Sequence, residues 1–160
     1  MKGSFPRFAA QLDYAMFVVT TSDGRERSGC LVGFAMQCSI DPPRFIICIS
    51  NKNHTVKVIR RAEVAVVHLV SEDAIELAEL FGASSGDRID KFSRCEWVEG
   101  PGGVPVLARC KSWFAARIEE RWDTGDHVTL LMRPFQVETP EKVSPLMFER
   151  AKGIPPGHDA

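Results

Sequence analysis

The sequence predicts a mainly β protein with some α-helix: an antiparallel barrel of six to eight strands capped by two or three helices. Segments rich in β-branched and aromatic residues recur along the 160-residue chain, and short turn signals join several of them. Helices do not separate every pair of strands, which argues against a doubly wound parallel sheet. The length suits one domain, residues 1–160, with an expected core at 14–138 and a tail at 139–160.

The first third of the chain predicts a short helix followed by three strands. "FPRFAAQLD" favours an amphipathic helix, and "YAMFVVTT" a strand that ends at the turn signal Asp23–Gly24. The returning strand runs through "SGCLVGFAM", where Gly29 and Gly33 indicate a bulge or the close approach of another group. "PRFIICIS" is almost continuously apolar, so we expect both faces of this strand to be covered.

The middle of the chain predicts two helices around a strand. "NHTVKVIRRA" reads as a helix capped by Asn53 or Thr55, and "EVAVVHLVS" as the next strand. Ser71 is the expected N-cap of the following helix, which should close on Gly82. Residues 83–105 then read as a long loop with one helical turn, a length typical of functional loops.

The last third predicts a long hairpin. "ARCKSWFAARIEERWD" alternates as a strand, "DTGD" supplies the turn, and "HVTLLMRPFQVE" returns with a break at Pro134. The tail after Glu138 is rich in proline and lacks a strong periodicity, so no element is predicted there.

Composition excludes several classes of function. The net charge of -1 and the pI of about 6.4 leave no basic footprint for nucleic acid. No apolar stretch approaches a membrane span, and the N-terminus lacks a signal peptide, so we expect a cytoplasmic protein. Without a C-x-x-C pair a metal site is not expected, and nothing nearby would activate a catalytic thiolate. We expect buried, reduced thiols among the five cysteines: Cys30, Cys38, Cys48, Cys95 and Cys110.

The polar cluster after "PRFIICIS" is the strongest candidate site. It combines hydroxyl and amide side chains, one lysine and the start of a helix, which together can bind a phosphate. The alternative is an ordinary capped helix without a ligand, and spacing alone does not decide between the two. The residues are Ser50, Asn51, Lys52, Asn53, His54 and Thr55.

Two weaker signals are the glycine-bearing strand and a histidine at a turn. Two glycines in a strand can leave backbone open to a flat ligand, with Gln37 and Ser39 offering hydrogen bonds, although these residues taken alone favour a strand with a bulge. His127 follows the turn Gly125–Asp126, and histidine is the residue type suited to acting on protons or on a charged ligand, although a turn histidine is commonly only solvated. His68 alternates with core valines, which is typical of a buried structural histidine.

Taken in order, these pieces resemble the flavin reductase family, whose fold is the FMN-binding split barrel. The similar segments are "VVTTSDGRERSGCLVGFAMQCSIDPPRFIICISNKNHT", "AVVHLVSEDAIELAELFG", "DRIDKF" and "GGVPVLARCKSWFAARIEERWDTGDHVTLLMRPFQVE". They span most of the chain, from about Tyr14 to Glu138. The resemblance depends on this order, since any one segment alone would be weak.

The resemblance implies a homodimer that binds FMN at or near its interface, with FAD or a deazaflavin as alternatives. It places Leu31, Val32, Gly33, Gln37, Cys38 and Ser39 at the flavin ring, and Ser50 to Thr55 at the phosphate. It places His127 near the nicotinamide of NAD(P)H. Many members carry hydroxyl side chains at the positions of Leu31 and Gly33, so the ring would depend more on main-chain groups here. "DRIDKF" is stretched, which leaves contacts from Asp87, Arg88 and Lys91 open.

The implied activity is hydride transfer from NAD(P)H to a flavin, after which the reduced flavin would leave for a partner monooxygenase or its electrons would pass to another acceptor. Two other functions fit the same residues. One is a flavin-binding or electron-transfer protein without reductase turnover. The other is a split-barrel module that binds haem or another planar ligand, or only a partner protein.

Overall fold

The computed structural model describes residues 3–83, 89–140 and 142–155. Short 3₁₀ turns occur at Lys91–Ser93 and Pro101–Gly103. Within these residues the helices are α1 (Phe5–Ala9), α2 (His54–Ile59), α3 (Ile75–Ala83) and α4 (Phe148–Ala151). The strands are β1 (Phe17–Ser22), β2 (Arg27–Val32), β3 (Ala35–Ser39), β4 (Arg44–Ser50), β5 (Val64–Leu69), β6 (Trp97–Glu99), β7 (Pro105–Leu107), β8 (Trp113–Asp123) and β9 (His127–Glu138).

Seven strands form one antiparallel sheet in the order β2-β1-β5-β8-β9-β4-β3, and β6 pairs separately with β7. The mainly β class and the predicted number of strands are therefore confirmed. In the described sheet β2 and β3 lie at opposite edges and do not pair with each other, so the sheet is not closed as a barrel. No helix in the described part of the chain is long and apolar enough to cross a membrane.

The sheet curls around a single inner core. Val32 of β2 and Ile49 of β4 pack in the same buried cluster, although four other strands separate β2 from β4 in the sheet. Val56 and Ile59 of α2 fill the same cluster from one end. Each such side chain stabilises the fold by about 1.5–3 kcal/mol when it is fully buried. This packing fixes the ends of β2 and β4 beside the start of α2.

A second core lies under α3 and includes the tail. Leu146 is fully buried with Phe81 of α3. The backbone ties the tail to the segment before β1, because Met16 donates to Leu146 (2.8 Å) and Phe148 donates to Tyr14 (2.8 Å). The tail therefore packs as part of the domain, which its composition did not predict.

Two predicted boundaries are wrong. The strand expected to run from Arg27 through "SGCLVGFAM" breaks at Gly33–Phe34, where the Phe34 carbonyl turns to accept the Cys48 N–H (2.8 Å). Ser71 does not cap α3, which begins at Ile75. Ser71 instead forms a β-bridge with Pro145, because the tail pairs with this part of the chain.

Residues 83–105 contain more structure than a loop. The predicted helical turn is observed at Lys91–Ser93, where the Asp90 side chain accepts the Phe92 N–H (3.0 Å). Strand β6 follows, so this segment is a small hairpin with β7 rather than a structureless connection. Asp87 and Arg88, whose contacts the sequence left open, lie outside the described residues.

The expected break at Pro134 is also wrong. Strand β9 continues through Pro134, which pairs with Ala116 directly after a shift in register between Ala115 and Ala116. A bulge of this kind can accommodate a proline that lacks a ladder hydrogen bond.

Candidate functional site

A cleft of about 750 Å³ opens between the end of β2, the end of β4, the β8–β9 turn, α3 and the tail. This volume lies within the range of small-molecule and cofactor sites. One wall is apolar and includes Tyr14, Met16, Leu31, Phe81 and Ile154. The polar part of the lining consists of Ser50, Asn51, Lys52, Asn53, Asp126 and His127.

The polar wall joins two segments that the sequence had singled out separately. Ser50 at the end of β4 pairs with His127 at the start of β9. The Asn51 backbone N–H donates to the Asp126 carbonyl (2.9 Å), and its side-chain amide donates to the Gly125 carbonyl (3.2 Å). Because both turns terminate adjacent strands, the sheet itself brings the polar cluster and the histidine together.

His127 is held by its neighbour in this wall. Its Nδ1 atom lies 2.6 Å from an Asp126 carboxylate oxygen, and a quarter of the His127 side chain is exposed. This hydrogen bond lowers the pKa of Asp126 below its ordinary value, with the charge of a protonated His127 acting in the same direction. Asp126 therefore orients the imidazole, which lines the cleft.

The backbone of the polar turn is largely satisfied internally. Lys52 N–H donates to the Ser50 hydroxyl (3.3 Å), and Asn53 N–H donates to the Ser50 carbonyl (2.9 Å). Asn53 is the N-cap of α2, and its side chain accepts the Thr55 N–H (3.0 Å). The sequence had assigned orphan N–H donors to a phosphate. These three donors already have partners, so an anion here would depend mainly on the side chains of the turn.

Thr55 and His54 do not line this cleft. Thr55 is buried, with 1% of its surface exposed, and its hydroxyl lies 2.9 Å from the Ser28 hydroxyl. His54 turns toward Glu26 and contacts that carboxylate through Nε2. The predicted cluster therefore divides, with Ser50 to Asn53 facing the cleft and the next two side chains facing away from it.

His54 lines a second cavity of about 430 Å³ on the other side of the α2 start. Arg25, Arg27 and Lys91 also line it. Lys91 is only 4% exposed, and its ammonium group donates to the carbonyls of Gly29 (3.0 Å) and Phe81 (3.2 Å). Burial lowers the pKa of Lys91. The cavity therefore combines a buried amine with exposed basic side chains.

The predicted ring contacts fall into two groups. Leu31, Val32 and Gly33 line the cleft. Gln37, Cys38 and Ser39 lie on β3, at the far edge of the sheet, and line a separate shallow depression with Ile40 and Asp41. One chain does not bring these two groups together, because the strand that was expected to connect them breaks at Gly33–Phe34.

The glycines of β2 and its end are covered by the protein's own side chains. A Cβ atom at Gly29 would lie 2.9 Å from the Phe81 ring and 3.0 Å from the Val19 carbonyl oxygen. A Cβ atom at Gly33 would lie 2.6 Å from the Tyr14 ring. Other groups therefore do approach these glycines closely, as expected, but they are aromatic side chains of this chain and not a ligand. Backbone that is left open for a ligand must lie along the outer edge of β2, which pairs with no further strand in the described sheet.

Sequence reasoning missed an aromatic row along the cleft. Tyr14 stacks on Phe148 with ring centroids 4.8 Å apart and lies 6.2 Å from Phe34, whose ring is 5.2 Å from the His127 ring. Tyr14 is the only tyrosine of the chain. Burial in this row raises the pKa of Tyr14, with the nearby Asp13 carboxylate acting in the same direction. The segment before β1 and the tail gave no periodicity that would have joined these residues.

The structural interpretation of His68 is confirmed, whereas the expectation of buried thiols is met by Cys30 and Cys110 but not by Cys38, which is exposed, or by Cys48 and Cys95, which are partly buried. His68 is fully buried, with Nδ1 donating to the Val18 carbonyl (2.9 Å) and Nε2 accepting the Leu107 N–H (3.0 Å). Burial raises the pKa of the Cys30 thiol to about 11 and of the Cys110 thiol to about 12, so neither forms a thiolate at neutral pH. Among the described residues, no group of three or more His, Cys, Asp or Glu side chains could hold a metal ion.

Fold and cleft together define a small β domain that can hold a planar ligand with a polar end between an apolar and a polar wall. Comparison with known proteins identifies the family to which the chain belongs. A family model described as "Flavin reductase like domain" matches residues 9–154. The chain therefore belongs to the flavin reductase like domain family, as its resemblance had indicated.

Individual relatives agree with this assignment. The chain is 30% identical over 124 residues to "FMN reductase (NADH) RutF" of Bradyrhizobium diazoefficiens, covering 78% of this chain and 68% of that protein. It is 27% identical over 135 residues to "Stachydrine N-demethylase reductase subunit Stc3" of Rhizobium meliloti, covering 82% of this chain and 53% of that protein. The chain thus spans about half to two thirds of the length of these curated relatives.

A solved structure shows the same fold. The crystal structure of a flavin reductase domain protein from Arthrobacter sp. FB24 superposes with a TM-score of 0.84 and 20% identity, covering 94% of this chain and 92% of that one.

Proposed function

We propose that this chain is an FMN-binding oxidoreductase that transfers hydride from NAD(P)H to a flavin. The observation that carries the proposal is the cleft, whose apolar wall suits a flat ring and whose polar part carries the turn Ser50–Asn53 and His127. Membership of the flavin reductase like domain family supports it, and so does the similarity to a relative named as an NADH-dependent FMN reductase. FAD in place of FMN would use the same walls.

We assign the ring end of the flavin to the wall formed by Leu31, Val32 and Gly33. These residues have no hydroxyl or amide side chain, so polar edges of the ring would bind main-chain groups on the free edge of β2. Main-chain N–H and C=O groups suit a flavin, because its ring has both hydrogen-bond donors and acceptors along one edge. Tyr14 and Phe81 supply apolar cover on the same wall.

We assign the phosphate end to the turn before α2. Ser50, Asn51, Lys52 and Asn53 face the cleft, and Lys52 supplies its positive charge. The second cavity adjoins the same turn through His54, and its lining carries the carboxylates of Glu26 and Asp90 as well as basic side chains. Thr55 then acts by fixing the turn from within, through Ser28, rather than by direct contact.

In the proposed reaction the cofactor and the protein have different roles. The bound flavin supplies the hydride-accepting group. The chain orients the ring, excludes water through its apolar wall and presents His127 at the cleft, held by Asp126, to position the nicotinamide. A protein nucleophile or metal ligand is not required for this role.

We further propose that the protein is a homodimer and that its curled sheet is the split-barrel form of the family. Strand β3 lies at a sheet edge and exposes Met36 and, just beyond it, Ile40, which is 85% exposed. A second copy packed on this edge would cover these side chains. Such a dimer could also bring Gln37, Cys38 and Ser39 of one subunit to the cleft of the other, which a single chain does not do.

We also propose a partner monooxygenase that receives the reduced flavin, and a cytoplasmic location. The first rests on a relative of Rhodococcus jostii named "Flavin-dependent monooxygenase, reductase subunit HsaB", which is 28% identical to this chain over 145 residues. The second is supported by the state of the cysteines, all five of which are free thiols.

Anaerobic stopped-flow reduction tests the proposed activity. Protein loaded with FMN is mixed with NADH or with NADPH, and bleaching of the oxidised flavin is followed at about 450 nm. We expect rapid, saturable bleaching with at least one nicotinamide, faster than with FMN alone at the same concentration. Flavin that stays bound but is bleached no faster than the FMN control would favour a binding or electron-transfer protein instead.

A further inference from the structure

Phe34 is the exposed member of the aromatic row. It lies in the two-residue break between β2 and β3, lines the cleft, and leaves 55% of its surface exposed. Single exposed apolar residues are common in proteins. Phe34 differs from most of these because it is aromatic, lies at the cleft and is held in place by its neighbours.

Contacts fix Phe34 from two sides. Its ring lies 6.2 Å from the Tyr14 ring at an angle of 57°, and 5.2 Å from the His127 ring at an angle of 45°. Its carbonyl accepts the Cys48 N–H (2.8 Å), which anchors the backbone to β4. The ring is therefore presented to the cleft in an ordered position, beside the histidine assigned to the nicotinamide.

Phe135 provides the internal contrast. It is exposed to a similar degree, 47%, but it lies on β9, away from the cleft, and the Arg117 guanidinium covers its ring at 5.7 Å. Its apolar surface is already used by a cation of the protein. The ring of Phe34 instead has two aromatic neighbours, Tyr14 and His127.

We infer that Phe34 is a positioning residue that packs against the nicotinamide ring of the electron donor, on the same side of the cleft as His127. This inference rests on the proposed function. The nicotinamide ring is planar, and in its oxidised form it carries a positive charge, which the face of an aromatic ring attracts. The contact should therefore favour the oxidised dinucleotide more than the reduced one.

Binding of NAD⁺ to the oxidised, FMN-loaded protein tests the inference, because this pair does not react. Titration calorimetry would compare the wild type with Phe34→Leu, Phe34→Tyr and the matched control Phe135→Leu. We expect Phe34→Leu to raise the Kd for NAD⁺ about five- to tenfold, the effect of one aromatic or cation–π contact. Phe34→Tyr should stay within about twofold of the wild type, since it keeps the ring. Phe135→Leu should have no effect.

Two further readouts separate this role from a structural one. The FMN Kd and the sedimentation coefficient of Phe34→Leu should match those of the wild type. An unchanged Kd for NAD⁺ in Phe34→Leu would overturn the inference. So would a weakened NAD⁺ complex accompanied by loss of FMN or of the dimer, because Phe34 would then act on the fold or the interface. A wild-type protein that takes up no FMN would instead overturn the proposed function itself.

Discussion

Polar side chains of this domain divide into two regions that differ in burial. In the interior, Thr55 and His68 are fully buried and pair with groups of the protein itself. At the cleft, Lys52 and His127 line an open wall against which a ligand can lie. Thr55 and Lys52 are only three positions apart in sequence. Residue type and spacing therefore do not separate structural from functional polar groups, whereas burial and position at the cleft do.

The largest effect should come from the interior, at His68. Burial of the ring away from water lowers its pKa from 6.5 to about 4, and the hydrogen bond to the Val18 carbonyl opposes this shift only in part. The unfolded chain takes up a proton below its ordinary pKa, whereas the folded chain does not. Stability contributed by His68 is therefore fully present above pH 6.5 and is lost as the pH falls toward 4, by about 3 kcal/mol in total.

Urea unfolding of the wild type and His68→Gln between pH 7 and pH 4 would measure this loss. The stability advantage of the wild type should shrink by about 3 kcal/mol across that range. If the difference in the free energy of unfolding between the wild type and His68→Gln stayed constant with pH, the pKa of His68 would not differ between the folded and unfolded states.

Lys52→Ala should have the next largest effect, on ligand affinity. We expect FMN binding to weaken by about 1–3 kcal/mol, the scale of a charge-assisted hydrogen bond. The free energy of unfolding without FMN should change by less than about 0.5 kcal/mol, as for other surface substitutions. Lys57 on α2, which is exposed and does not line the cleft, offers the matched control Lys57→Ala. If both variants bound FMN equally well, Lys52 would have no place at the phosphate.

Thr55→Val should show the opposite pattern to Lys52→Ala. It keeps the shape of the side chain but leaves the buried Ser28 hydroxyl without its partner. We expect a loss of about 1 kcal/mol in the free energy of unfolding and little change in FMN affinity. The double variant Ser28→Ala, Thr55→Val should recover part of this loss, because neither buried hydroxyl then remains. Weakened FMN binding at unchanged stability would place Thr55 in the ligand site after all.

His127→Ala should have the smallest effect. We expect the KM for the nicotinamide to rise about threefold, less than the loss of a typical hydrogen bond, with flavin binding unchanged. Steady-state kinetics at saturating FMN would measure it, with His54→Ala as a control that lies outside the cleft. An unchanged KM would mean that His127 is only a solvated turn residue.

Local patterns predicted much of the fold, and the tertiary packing explains the remainder. The Asp23–Gly24 hairpin and the Asn53 cap of α2 depend on residues close in sequence, and both are observed. Strand β4 is also observed, but only Ile47 and Ile49 are buried, so the expectation that both its faces are covered is wrong for the single chain. The break at Gly33–Phe34 and the bridge at Ser71 depend on Cys48 and on the tail, which are distant in sequence. Those features were predicted wrongly because no local signal encodes them.

The same distinction applies to the site. Ser50 and His127 were both selected from the sequence, and strand pairing brings them together. Tyr14 and Phe148 were not selected, because they reach the cleft from opposite ends of the chain and become neighbours only through the tail. Resemblance to the family grouped Gln37 to Ser39 with Leu31 to Gly33, whereas the single chain separates them across the sheet.

The most direct test of the central claim is an equilibrium titration of the purified protein with FMN, followed by absorbance and by protein fluorescence. The cleft described here predicts saturable uptake of one FMN per chain, with bound-flavin bands near about 370 and 450 nm, and weaker uptake by Lys52→Ala but not by Thr55→Val. A protein that takes up no FMN, or one whose uptake depends on Thr55 and not on Lys52, would contradict it.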